Sequence, residues 1–144
     1  MNIYEKISTW LNDCPEMGGY VYFNVIPLDS DTSSVTSSGS SLTLNTFLNG
    51  SKEVRLIFNI ELVKQYDDGG TSDINLDAIK AFDEIISFVE RKNNLKEYPE
   101  LGDGYIVNEI GATYKAPEIY VTNDNPNIAR YEGQFYIEYL EERK

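Results

Sequence analysis

A long run of strict alternation constrains this chain more than any other feature. Within residues 51–66, Val54, Leu56, Phe58, Ile60 and Leu62 alternate with Glu53, Arg55, Ile57, Asn59 and Glu61. Successive side chains of a β-strand point to opposite faces, so a period of two over this length predicts one long strand with a single face on a core. Residues 42–48 and then Asn49-Gly50 stand immediately before it. The Asn-Gly pair is expected to supply two positive-φ residues for a tight turn, which makes 42–66 a long β-hairpin.

The other segments arrange themselves around that hairpin. Ile3, Ile7, Trp10 and Leu11 have helical spacing, and Cys14-Pro15 and Gly18-Gly19 end the helix. Residues 19–27, rich in β-branched and aromatic side chains, read as a strand with both faces covered. Residues 29–41 are almost wholly Asp, Ser, Thr and Gly and are expected to form a flexible loop, Val35 being their one apolar anchor. A second, longer helix starts at Asp73 or Asn75 and runs to about Arg91, with Ile79, Phe82, Ile86 and Val89 as its stripe and Ile85 and Phe88 beside it. After the turn-rich connector at Pro99, Gly102 and Gly104 come strands at 105–114, 118–122 and 128–140. The last places Tyr131, Gly133, Phe135, Ile137 and Tyr139 on one face, and Phe58, Phe82 and Phe135 are expected to meet in the core. The predicted architecture is one α+β domain over residues 1–144, mostly antiparallel sheet with a long β-hairpin, packed by two α-helices.

Composition narrows what such a domain does. Hydrophobic residues make up 41% of the chain, with 11 Tyr and 6 Phe, which excludes disorder throughout. Twelve basic residues against 24 acidic ones give a formal charge of −12. Phosphate affinity comes from Lys and Arg, so this balance argues against a nucleic-acid binder and against docking on anionic membrane. Cys14 is the only cysteine, which rules out an intrachain disulfide and fits a reducing compartment. The opening residues, Met1 to Lys6, do not resemble a signal peptide, and no apolar run approaches the ~20 residues needed to span a bilayer.

A search for chemistry returns little. Without histidine the chain lacks the commonest general base and every Ser-His or Cys-His nucleophile arrangement. Cys14 reads as a small packed hydrophobe. Asp67, Asp68, Asp73 and Asp77 flank a glycine pair, but the calcium-loop pattern is not met, and they read as turn and cap residues. Asp83 and Glu84 are sequence neighbours and do not share a helix face. Gly69-Gly70 and the Gly102/Gly104 pair lack the spacing of phosphate loops. No catalytic, cofactor or metal residue is assigned, no cofactor is expected, and the chain is not expected to be an enzyme.

Four elements occur in order: Phe47-Leu48-Asn49-Gly50-Ser51-Lys52 before the long strand; the acidic helix at 77–94; the connector Tyr98-Pro99-Glu100-Leu101-Gly102-Asp103-Gly104; and Ala129-Arg130-Tyr131-Glu132-Gly133-Gln134 in the closing strand. Together they resemble the minor capsid, or tail terminator, family of long-tailed phages and prophages. The resemblance covers about the last hundred residues; the first 45 match only as a helix followed by a strand. It implies a ring of copies of the chain, commonly six, that caps the tail tube and joins it to the head, with the tail tube protein and a head-tail connector protein as partners. It implies no catalysis. The implied location is the host bacterial cytoplasm during assembly and then the tail or neck of the virion. Strands and hairpins would pair or pack between subunits, and an acidic lining would keep passing DNA from sticking.

The expected assembly interface comprises Tyr136 and Leu140, on the face of the closing strand opposite its core residues, together with the turn residues Asn49, Gly50, Asp67 and Asp68. The alternative reading is a small acidic immunity or inhibitor protein that binds a protein partner. A carboxylate-studded DNA mimic ranks below both.

Overall fold

The alternating run lies in the middle of a six-stranded mixed sheet. The computed structural model describes residues 2–18, 20–24, 31–66, 73–113, 116–121 and 127–143. In chain order the elements are α1 (Ile3–Leu11), a 3-10 turn (Pro15–Met17), β1 (Val21–Phe23), β2 (Thr32–Thr46), β3 (Lys52–Gln65), α2 (Asp73–Asn94), β4 (Tyr105–Ala112), β5 (Glu118–Val121) and β6 (Ile128–Glu141). The sheet order is β1-β2-β3-β6-β4, with β5 also on β6. Among the described strands only the β1–β2 pair is parallel. This is the expected α+β class.

β3 and β6 pair along their whole length, from Lys52 opposite Glu141 to Gln65 opposite Ile128. Their core faces are the predicted ones: Val54, Leu56, Phe58, Ile60 and Leu62 on β3, and Tyr131, Phe135, Ile137 and Tyr139 on β6 are all buried. Phe58 stacks on Phe135 at 5.9 Å between ring centroids, and Phe82 of α2 meets Phe135 at 6.3 Å. Burying each such ring is worth about 2–3 kcal/mol of transfer free energy. Gly133 makes room for the helix, since a Cβ there would lie 2.5 Å from Phe82 Cζ. α1, capped by the Asn2 side chain on the Tyr4 and Glu5 amides, adds Ile7 and Leu11 to the same core. Trp10 ties α1 to α2 through its ring contact with Phe88 at 5.5 Å, and to the segment after α2 through its indole N–H, which donates to the Glu97 carbonyl at 2.8 Å.

Four expectations need correction. The segment expected as a flexible loop at 29–41 is, from Thr32 on, part of the 15-residue strand β2; Asp29 and Ser30 lie outside the described residues. Backbone pairing holds it, with Val35 as its one apolar anchor. Its backbone pairs with β3 from Thr32 opposite Val63 onward, Ser33 Oγ donates to the Met17 carbonyl, and Val35 is fully buried. The hairpin turn uses one positive-φ residue and not two. Gly50 has φ +89° and Asn49 is not in that region, so a type I turn is closed by Gly50 N–H to the Phe47 carbonyl at 2.9 Å, followed by a glycine bulge. Asn49 instead accepts the Ser51 amide on its side chain at 2.9 Å. The strand expected over 19–27 is described only as Val21–Phe23, and its faces are not both covered, because Tyr22 is 44% exposed. On α2, Phe82, Ile86 and Val89 of the expected stripe are buried together with Ala78, Ile85 and Phe88, and only Ile79 departs from it, being partly buried.

β2 has one further peculiarity. From 32 to 51 the chain carries no charged residue, and beyond 33–35, where β1 pairs, no described strand covers its outer edge. Two register shifts, at Ser37/Ser41 and Thr43/Asn45, bend that edge, with Gly39 at φ +78° inside the first. Bulges here take the protective role that charges usually take at an open edge.

Candidate functional site

Both helices pack on one face of the sheet, so the opposite face and the hairpin tip are where functional side chains can gather. At the tip, Asn49 and Leu140 line one cleft of about 550 Å³ together with Phe47, Glu53, Asn108 and Arg143. Gly50 belongs to the same place, lying beneath Arg143 so closely that a Cβ would be 2.3 Å from Arg143 Cδ. The Arg143 amide donates to Ser51 Oγ at 3.2 Å, which straps the segment after β6 across the turn. Leu42, Leu44, Phe47 and Leu48 are exposed around this tip, Leu48 completely. Three of the six expected interface residues therefore come together.

Tyr136 does not join them, and its ring is not left unpartnered as the expected interface required. The Arg55 guanidinium lies 4.5 Å from the Tyr136 ring centroid, and the phenol packs over Gly111 of β4. Arg55 is itself held by Glu138, Nε to Oε1 at 2.7 Å. Asp67 and Asp68 lie outside the described residues.

The helix-free face holds a second constellation that spacing alone did not reveal. Cross-strand register sets Ser34 opposite Glu61, Glu61 opposite Glu132, and Glu132 opposite Glu118. Directly opposed residues share a face, so three carboxylates stand in one row across β3, β6 and β5. Glu61 is only 4% exposed, and its Oε2 has no hydrogen-bond partner. Burial, followed by its contact with the Glu132 carboxylate, pushes the Glu61 carboxyl up to about 7, against a weaker opposing pull from Arg130. Arg130 is the nearby cation, yet its Nε stands 3.9 Å from both Glu61 Oε1 and Glu132 Oε2 and makes no hydrogen bond. Its guanidinium instead sits 4.9 Å from the Tyr120 ring centroid. Beside this row opens a cleft of about 580 Å³ lined by Glu118, Glu132, Asn59, Gln134, Ser37 and Ser38.

No protein-family model matches this chain, and no curated protein does. The chemistry available is therefore read from the side chains alone. The Cys14 thiol is buried and pushed up to about 11, chiefly by desolvation, so it stays protonated and unreactive. Among the described residues no group of three acidic or thiol side chains is placed to hold a metal ion, and no helix is long and apolar enough to cross a membrane. What the two clefts offer is contact: exposed leucines and Phe47 beside a mostly polar groove at the hairpin tip, and an acceptor-rich, acidic groove on the open sheet face. The one sequence signal for the acidic row was a glutamate placed among Ile60, Leu62 and Val63.

Proposed function

We propose that this chain is a structural protein of a long-tailed phage or prophage, a tail terminator of the minor-capsid type. In this reading copies of the chain form a ring, commonly of six, that caps the tail tube and joins it to the head. The observation that carries it is the order of the four sequence elements from Phe47 to Gln134. The arrangement of the tip is compatible with it: the first element forms the hairpin turn, and the strand containing the last runs back alongside it to Leu140, which shares a cleft with Asn49. Assembly is the function and no catalysis is proposed. Contacts between subunits form at apolar hairpin tips, and the excess of carboxylates keeps DNA phosphates from adhering to the ring's opening. The test is deletion of the gene in its phage together with electron microscopy of the purified protein mixed with its cognate tail tubes. Tails of uncontrolled length without heads, and rings seated at tube ends, are expected. Normal virions from the deletion strain would end this reading.

A second reading, an acidic immunity or inhibitor protein, draws support from Glu132 and Glu118, which line an open groove beside the buried Glu61. A toxin gene adjacent to this one, in place of tail-tube and connector genes, would favour it.

A further inference from the structure

Two carboxylates that meet in a buried site need either a proton between them or a cation beside them. Glu61 and Glu132 meet in this way, and the fold's own cation does not complete the site. Arg130 Nε stands 3.9 Å from each, ion-paired but without a hydrogen bond, and its guanidinium lies against the Tyr120 ring. Glu118 continues the row outward and accepts the Tyr120 hydroxyl, at 2.5 Å. The groove that opens there presents acceptors from Glu118, Glu132, Asn59 and Gln134, and among the described residues no basic side chain lines it.

We propose that this groove takes the guanidinium of an arginine presented by an extended basic segment of a partner protein. Charge complementarity chooses the occupant. The planar fork of a guanidinium can bridge two carboxylates on neighbouring strands and still donate to an amide oxygen. A chelated metal fits less well, because no three acidic groups among the described residues are placed to hold one. This assignment goes beyond the assembly reading and does not depend on it, since it identifies what the groove binds and not which structure the chain builds.

The site is also proton-linked. Among the described residues, the groups facing Glu61 are Arg130 and Glu132 from β6, with Glu118 and Tyr120 beyond them on β5, while β2 contributes the uncharged Ser34. A guanidinium arriving beside Glu132 favours the ionised form of Glu61, so binding expels the proton that Glu61 holds near neutrality. Affinity therefore rises with pH through that range.

The experiment titrates the protein with an acetylated, amidated peptide of alternating Gly and Arg, reading the side-chain amide shifts of Asn59 and Gln134 by NMR and the affinity by calorimetry. At about 0.15 M salt, where long-range attraction to the acidic chain is screened, shifts confined to the groove are expected. E118Q and E132Q should each weaken binding about tenfold, while E5Q on the exposed surface of α1 leaves it unchanged. Affinity should rise between about pH 6 and about pH 8 in the parent protein and stay flat in E61Q. E118Q lies on the exposed strand β5, so it remains informative if E132Q does not fold. Shifts spread over the whole surface, or equal weakening by E5Q, overturn the proposal. So does tighter binding of magnesium than of the peptide at the same side chains. Because tail capping is scored separately by microscopy, loss of either result leaves the other standing.

Discussion

Glu61 shows how one residue can make a sheet sensitive to pH. Its folded carboxyl titrates at about 7, against an ordinary value near 4.5. The folded state therefore holds a proton that the unfolded state has released, and stability falls as pH rises between those values. Below the lower value both states are protonated and the site costs nothing; above the upper one the buried charge costs its full amount, on the order of 1–3 kcal/mol. E61Q keeps the shape and removes the titration. Urea unfolding is expected to show the parent losing stability from about pH 5 to about pH 8 while E61Q loses less, the variant being the more stable at the alkaline end. Alternation along β3 assigned Glu61 to the face away from the core, which is where it points. That it would be buried depended on Glu132 and Ser34 being opposite it, and strand register between distant segments has no local signature.

At the scale of elements, legibility followed the apolar pattern. The five buried residues of β3 and the aromatic face of β6 were readable because their period of two is set by strand geometry and held by burial. Phe58→Ala is expected to cost about 3–5 kcal/mol in the same unfolding assay, since the ring is fully buried and stacked on Phe135. β2 was illegible for the converse reason. Its Ser and Thr residues have no periodic apolar content, and it is a strand because β3 offers a backbone ladder long enough to receive it. Hydrogen exchange should resolve this. Val35, whose neighbours pair with both β1 and β3, should be slow, and exchange should quicken towards the exposed bulge at Gly39. Uniformly fast exchange from 32 to 41 would restore the flexible-loop expectation. The hairpin turn lay between these cases: the Asn-Gly pair located it, but whether Asn49 or its side chain did the turning depended on the loop length that the strands accepted.

For the whole molecule, the charge of −12 sets the terms of association. Copies gathered in the proposed ring would repel one another over the Debye length, and added salt shortens that length from about 10 Å at 0.1 M to about 3 Å at 1 M. Self-association through the exposed Leu42, Leu44, Phe47 and Leu48 of the hairpin tip is therefore expected to strengthen with salt, opposite to the behaviour of a basic nucleic-acid binder. Sedimentation velocity at low and high sodium chloride checks this, and weakening with salt would show that ion pairs and not apolar contacts hold the copies together. Of the candidate interface, Asn49, Gly50 and Leu140 could be nominated from sequence because turns and strand faces are local properties. The cover that Arg55 and Gly111 give Tyr136 was not foreseeable, since it joins three separate strands.

The full-length pairing of β3 with β6 also sets an order of events during synthesis. β3 is complete once Gln65 has been added, yet one of its two ladder partners begins only at Ile128. Until then the emerging chain holds a long apolar strand with one flank open, while α2, β4 and β5 are still being made. A sheet closed by so distant a partner folds slowly, because a large loop must be ordered before the pairing rewards it. The nascent chain is therefore most at risk of misjoining with its neighbours on a polysome in the interval between translation of Gln65 and of Ile128, and chaperones that shelter exposed strands would act on it in that interval.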